Sequence, residues 1–143
     1  MMKMTKNFEI ISNFIKDMSS ETPDVQTFLF VKEKISGYQL NIDINSKALK
    51  NGIIEVNIIL KFTDKPEILK KSYFEIVYTS VVRVNEKVSD KKEMEKIILC
   101  DVPNKIYPTI EKVFINLLTD SGFPGIKFEK KIDFTELYKQ KSN

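Results

Sequence analysis

Hydrophobic and polar residues alternate with period two through much of the first two thirds of the chain. Leu40, Ile42 and Ile44 alternate with Asn41, Asp43 and Asn45. Beyond the Asn51-Gly52 turn signal, Ile54, Val56, Ile58, Leu60 and Phe62 repeat the pattern against residues that include Glu55, Asn57 and Lys61. A period of two puts one face of each segment in a core and the other in water, so two strands joined as a hairpin are predicted. Lys70 to Val84 is apolar on both parities, with Phe74, Ile76, Tyr78, Val82 and Val84 on one and Tyr73, Val77 and Val81 on the other. That predicts a central strand covered on both faces. Phe8 to Lys16 supplies a first strand, its alternation blurred by adjacent Ile10 and Ile11.

The period changes in the last third. Pro108 suits the first turn of a helix, where its missing N–H costs little, and Ile110, Val113, Phe114, Leu117 and Leu118 follow at helical spacing up to Asp120. Gly122 ends the run with freedom to take positive φ, and Pro124 blocks resumption. Asp133 then caps a second helix, with Glu136 completing a capping box and Ile132 and Leu137 placed as a hydrophobic staple. Lys139 to Asn143 is expected to fray. Two connections are left. Pro23 to Gly37 carries Val25, Phe28, Leu29, Phe30, Val31 and Ile35 without a strand boundary and is expected to be an irregular crossing. Asn85 to Lys96 reads as a charged connector in which Asp90 and Glu93 cap a short helix. The whole predicts an α+β fold: a four-stranded antiparallel sheet, then a long helix and a short C-terminal one, in a single domain over residues 1–143.

Composition narrows the chemistry. At 143 residues and 42% hydrophobic content, the chain can bury a core without a metal or a disulfide. Cys100 is the single cysteine and there is no histidine, which removes imidazole-based triads and leaves too few soft ligands for zinc. The four glycines form neither a phosphate loop nor a dinucleotide fingerprint. Carboxylates are scattered among lysines as on a solvated face, so no enzyme activity and no cofactor are expected. The formal charge of +3 is spread over pairs such as Lys70-Lys71, Lys91-Lys92 and Lys130-Lys131, and Arg83 is the one arginine. Such a distribution favours an ordinary surface over a nucleic-acid interface. The apolar residues between Met1 and Met18 are too interrupted for a signal peptide, and no run reaches the roughly 20 residues of a membrane span. A cytoplasmic protein without direct membrane insertion is expected.

Three pieces of the last third, taken in order, resemble the SecB family of bacterial protein-export chaperones. They are Pro103-Asn104-Lys105-Ile106-Tyr107-Pro108, Gly122-Phe123-Pro124 and Ile132-Asp133-Phe134-Thr135-Glu136-Leu137-Tyr138. Lys16-Asp17-Met18-Ser19-Ser20-Glu21-Thr22-Pro23 resembles a further signature of that family near the N-terminus. The chain departs from the family in having Val102 where a cysteine is usual, no tryptophan, Thr79-Ser80 in place of small glycines, and a pI of about 8.8 where typical members are acidic.

What the resemblance implies is a holdase that captures unfolded secretory preproteins without ATP and passes them to the translocase motor SecA. It also implies a homotetramer built as a dimer of dimers. Phe28, Phe30, Ile35, Tyr38, Leu40, Ile42, Ile44, Phe134, Leu137 and Tyr138 become candidates for the client-binding surface, with Pro23 to Gly37 as its crossover loop. Asp17, Glu21, Tyr73 and Glu75 become candidates for docking SecA, and Ile110, Val113, Phe114 and Leu117 for the oligomer interface. Two alternatives stand beside this reading: a SecB-like chaperone dedicated to one client, such as an antitoxin, and a nonspecific nucleic-acid-binding or scaffold protein using the basic charge.

Overall fold

The computed structural model describes residues 7–128 and 132–142; the Lys130-Lys131 pair and Asn143 lie outside the described residues. Strands β1 (Phe8–Glu21), β2 (Gln39–Ala48), β3 (Ile53–Thr63) and β4 (Tyr73–Val84) form one antiparallel sheet in the order β1-β4-β3-β2. Helix α1 (Val25–Lys34) joins β1 to β2, and α2 (Lys91–Lys96), α3 (Val102–Asp120) and α4 (Phe134–Ser142) follow the sheet.

The hairpin forms where the sequence places it. Asn51 (φ 63°) and Gly52 (φ 71°) both take positive φ, the requirement of a tight turn whose twist matches the strands it joins. β4 is central, flanked by β1 and β3. β1 runs on to Glu21, five residues beyond the expected Lys16, and register shifts between Ile10 and Ser12 and between Ile15 and Asp17 interrupt its pairing with β4. These bulges explain the blurred alternation at Ile10-Ile11, because an inserted residue resets which parity faces the core.

The strand order sends the chain from one edge of the sheet to the other between β1 and β2. Three strand spacings amount to about 14 Å, and a ten-residue helix is about 15 Å long. α1 makes that crossing, and the expected irregular loop gives way to a helix. Asp24 caps it, accepting the Thr27 N–H at 2.7 Å, while Thr27 and Val31 are buried and Phe28 and Ile35 half-buried on the side facing the core. A one-turn 3-10 segment, Ile35–Gly37, then leads into β2.

A second correction concerns the long helix. α3 starts at Val102 with Pro103 in its first turn, so Pro108 lies inside the helix and not at its beginning. α2, capped by Asp90 through the Lys92 N–H (3.1 Å), continues into α3 through a π-helical turn at Ile97–Asp101, where the Val102 N–H reaches Ile97 O. Pro103 has no N–H for the preceding turn, and a widened turn there removes the need for one. The buried stripe of α3 is Pro103, Ile106, Tyr107, Ile110, Phe114 and Leu118. It packs on β4 and β1, over the inner sheet face formed by Ile54, Val56, Ile58, Leu60 and Phe62 of β3 and Phe74, Ile76, Tyr78, Val82 and Val84 of β4. Where fraying is expected from Lys139 onward, α4 continues to Ser142, and Asn143 lies outside the described residues.

Aromatic rings tie these layers together at one end of the molecule. Phe123 lies 5.1 Å from Phe28 of α1 and 5.6 Å, edge-on, from Phe74 of β4. Gly122 (φ 102°) ends α3, and a Cβ there would stand 2.6 Å from Phe28 Cε1. Both the backbone angle and the ring exclude a side chain. Gly122→Ala is therefore expected to destabilise the protein by about 1–3 kcal/mol, read from urea denaturation, the strained backbone and the displaced ring acting together.

Candidate functional site

An open groove of ≈ 1410 Å³ runs beside β2, lined by Ile35, Tyr38, Leu40, Ile42, Phe62, Ile126, Phe128, Ile132 and Leu137 among others. A smaller pocket of ≈ 260 Å³ lies nearby, between Ile42 and Ile44 on one side and Leu99, Phe134, Leu137 and Tyr138 on the other. Leu40, Ile42 and Ile44 share the inner face of β2, opposite Phe62, Leu60 and Ile58 of β3, and all three are half-buried. α3 does not reach far enough to seal them, and the groove is the unsealed strip.

The far wall is α4. Asp133 caps it by accepting the N–H groups of Thr135 (3.0 Å) and Glu136 (3.3 Å), as the motif predicts. Phe134 is 1% exposed and meets Tyr107 of α3 edge-on at 5.5 Å, which makes it an anchor of the wall more than a contact surface. Thr135 Oγ1 sits 3.2 Å from both Cys100 Sγ and Asn104 Nδ2, and the Tyr138 hydroxyl donates to Lys92 O at 3.2 Å. Leu137, 42% exposed, points its apolar side chain into the groove.

The structure thus brings Ile35, Tyr38, Leu40, Ile42, Ile44, Phe134, Leu137 and Tyr138 to one surface. Phe28 and Phe30 do not line it. Phe28 is held against Phe123 and over Gly122, and Phe30 lies on α1 beneath the Lys34 ammonium, 5.9 Å from its ring centroid. Sequence reasoning missed Leu99, Ile126, Phe128 and Ile132. Phe128, 5.6 Å from Phe62 and 6.2 Å from Phe114, falls in a segment without regular periodicity, so no pattern pointed to it.

The opposite sheet face is mixed, with Ile59, Val77 and Val81 set among polar residues. Glu21 pairs in register with Tyr73, Ser19 with Glu75 and Asp17 with Val77, which puts Asp17, Glu21, Tyr73 and Glu75 on that one face. Glu75 is already engaged: the Tyr73 hydroxyl donates to it at 2.5 Å and the Lys61 ammonium stands at 3.7 Å. Burial, and then the neighbouring Glu75, push the Tyr73 phenol up to about 12. Across the same face Lys16 of β1 reaches over β4 to Glu55 of β3 at 2.7 Å. Asn57 joins Glu55 (2.8 Å), Asn45 of β2 (2.9 Å) and Thr79 of β4 (2.6 Å). This polar strap touches all four strands.

The candidate interface residues separate into two kinds. Ile110 and Phe114 are fully buried in the protomer's own core and are unavailable to a partner, a correction that follows from α3 turning this stripe toward the sheet. Val113 and Leu117 are half-buried on the adjoining flank. Exposed apolar side chains unforeseen from sequence lie along the edge strand β1: Ile11, Phe14, Ile15 and Met18 are 44%, 47%, 44% and 43% exposed, Phe14 on the outer face opposite Thr79 and Ile15 and Met18 on the inner one opposite Tyr78 and Ile76.

Among the described residues no group of three or more Cys, His, Asp or Glu is placed to hold a metal ion, and Cys100 is buried. The arrangement offers an adhesive apolar strip beside an open strand edge.

Comparison with known proteins gives a consistent result. Residues 2–143 match the family described as preprotein translocase subunit SecB. A SecB-type protein-export protein of Pelagibacter ubique is 78% identical over 140 residues, covering 98% of this chain and all of that one. The protein-export protein SecB of Methylocella silvestris is 27% identical, over 90% of this chain and 78% of its own. Among solved structures, the Mycobacterium tuberculosis SecB-like chaperone in complex with a ChAD peptide from the HigA1 antitoxin superposes with a TM-score of 0.66 at 11% identity, covering 88% of each chain.

The strap generates a prediction about acid. Hydrogen bonds from Lys16 and then Asn57 hold the Glu55 carboxyl below its ordinary value of 4.5. A lowered folded-state value means that this contribution to stability is present above the ordinary carboxylate range and is lost as pH falls through the folded value. Between roughly pH 5 and 3, urea midpoints are expected to fall less steeply for Glu55→Gln than for the unaltered protein, by a modest margin because Lys16 is half exposed.

Proposed function

The chain belongs to the SecB family of protein-export chaperones, which are not enzymes, and we propose that it acts as an ATP-independent holdase whose client surface is the groove along β2. The observation that carries this reading is the apolar strip itself: half-buried Leu40, Ile42 and Ile44 faced by Leu137 across an open channel. Unfolded preproteins expose long apolar segments that folded proteins bury, and a strip without a fixed pattern of polar contacts accepts many sequences. Polypeptide held there is kept from collapsing or aggregating until SecA takes it over in the cytoplasm. Among the described residues no helix is long and apolar enough to cross a membrane.

Assembly belongs to the same reading. An edge strand with four large apolar residues about half exposed invites a second copy, and β1 to β1 contact extends the sheet across two protomers. The flank of α3 that carries Val113 and Leu117 then joins two such dimers into a homotetramer. Asp17, Glu21, Tyr73 and Glu75, on the outer face, dock SecA.

A second reading has one observation in its favour. The structural neighbour was solved with an antitoxin peptide, and a chaperone dedicated to a single client would use the same groove. Client breadth separates the two. The alternative of a nucleic-acid or scaffold protein gives way to the family assignment.

Two experiments test the proposal. Ile42→Ser with Leu137→Ser is expected to reduce capture of an unfolded preprotein about tenfold or more in an aggregation-suppression assay, whereas Phe30→Ser leaves it unchanged. Unaltered capture by the double variant, with native circular dichroism, removes the groove assignment. Charge reversal at Asp17 and Glu21 is expected to slow SecA association at low salt while the native mass stays that of a tetramer; a native mass of one chain for the unaltered protein at micromolar concentration counts against the assembly.

A further inference from the structure

The register of β2 fixes which of its backbone groups face outward. At the hairpin the Leu49 N–H bonds Ile53 O at 2.8 Å, so the odd-numbered residues of β2 exchange hydrogen bonds with β3. Antiparallel alternation then turns the N–H and C=O groups of Leu40, Ile42 and Ile44 toward the open edge of the sheet. The same residues send their side chains to the groove face. A chain lying in the groove therefore meets apolar side chains and unpaired peptide groups together.

One of those peptide groups is occupied. The Ile44 N–H donates to Oδ1 of Asp43, the residue before it, at 3.0 Å. Asp43 is exposed and sits in the middle of β2, and its own peptide groups are turned to Ile59 of β3. The geometry points to Asp43 as a gatekeeper of the β2 edge: its carboxylate stands where the carbonyl of a fifth strand belongs, and an extended client segment that adds to this edge displaces it. The inference rests on the holdase reading above and specifies how the groove binds.

The arrangement solves a conflict. An open ten-residue edge strand is a template for unwanted pairing with any extended chain, including other copies of this one. A carboxylate on that edge blunts it, because a partner lacking apolar side chains for the groove gains too little to displace a charge-assisted hydrogen bond. A partner that fills the groove gains enough, and the released carboxylate returns to water. Acidic segments are disfavoured by the same charge.

The test uses a short fluorescein-labelled peptide with Val, Ile and Phe at alternate positions, and two derivatives N-methylated on one parity or the other. Strand addition uses the N–H groups of one parity, so one derivative is expected to bind about tenfold more weakly than the parent and the other nearly as well. Asp43→Ala is expected to tighten binding of the unmethylated peptide by about three- to tenfold, with Asp43→Asn between the two, since it keeps an acceptor and loses the charge. Hydrogen exchange at the Ile42 and Ile44 amides slows on binding. Equal weakening by both methylated peptides, or unchanged affinity in Asp43→Ala, overturns the inference while leaving the groove as the client site. Failure of the unaltered protein to bind even the parent peptide is a different outcome and removes the holdase reading together with this one.

Discussion

A single α-helix is about 10 Å across and four strands span about 19 Å, so one helix laid along a four-stranded sheet leaves roughly half of the inner face to be covered by something else. Here α3 takes the half over β4 and β1 with a stripe from Pro103 to Leu118. The other half, over β3 and β2, falls to irregular chain around Ile126 and Phe128 and to α4. Those pieces are too small to close it. The groove is thus the residue of a mismatch between two widths, and its position beside β2 follows from α3 lying on the opposite side.

Separation of the two sheet faces follows from strand parity. Even positions of β3 and β4 supply the core, while the odd ones carry Glu55, Asn57, Lys61, Tyr73 and Glu75 on the outer face beside Ile59, Val77 and Val81. A slip of one residue in any of these strands would mix the sets. Asn57 opposes this, since its partners Asn45 on β2 and Thr79 on β4 are reached in one register alone. The strap serves as a registration device whose loss would be felt in the groove on the other face.

Much of this was legible in the sequence, and the failures have identifiable causes. The hairpin announced itself because Asn51-Gly52 is turn chemistry between two runs of clean alternation, and β4 because both its parities are apolar. α1 was missed because Val25, Leu29 and Phe30 stay exposed on a helix whose buried residues include a threonine, so the contrast that defines an amphipathic helix is reversed. Pro108 misled because a proline usually marks a helix start, and Pro103 holds that role here. The groove residues on β2 and α4 could be named from period and motif, whereas those on the 126–128 segment have no period to betray them. Nothing in a helical repeat distinguishes a side chain buried within the protomer, such as Phe114, from one left for a neighbouring copy.

The pairing of β1 with β4 joins residues far apart in sequence, Phe8 with Val84 and Glu21 with Tyr73. On the ribosome, β1 emerges first and waits without its partner until the fourth strand has been made, its apolar Ile11, Phe14, Ile15 and Met18 uncovered throughout. The hairpin of β2 and β3 closes locally and early, but it offers β1 no strand to pair with, because β1 pairs in the sheet with β4. Long-range pairing of this kind makes folding slow and leaves an exposed strand open to aggregation in the interval. A nascent copy of this chain accordingly displays the same kind of extended apolar segment as the clients proposed for the groove.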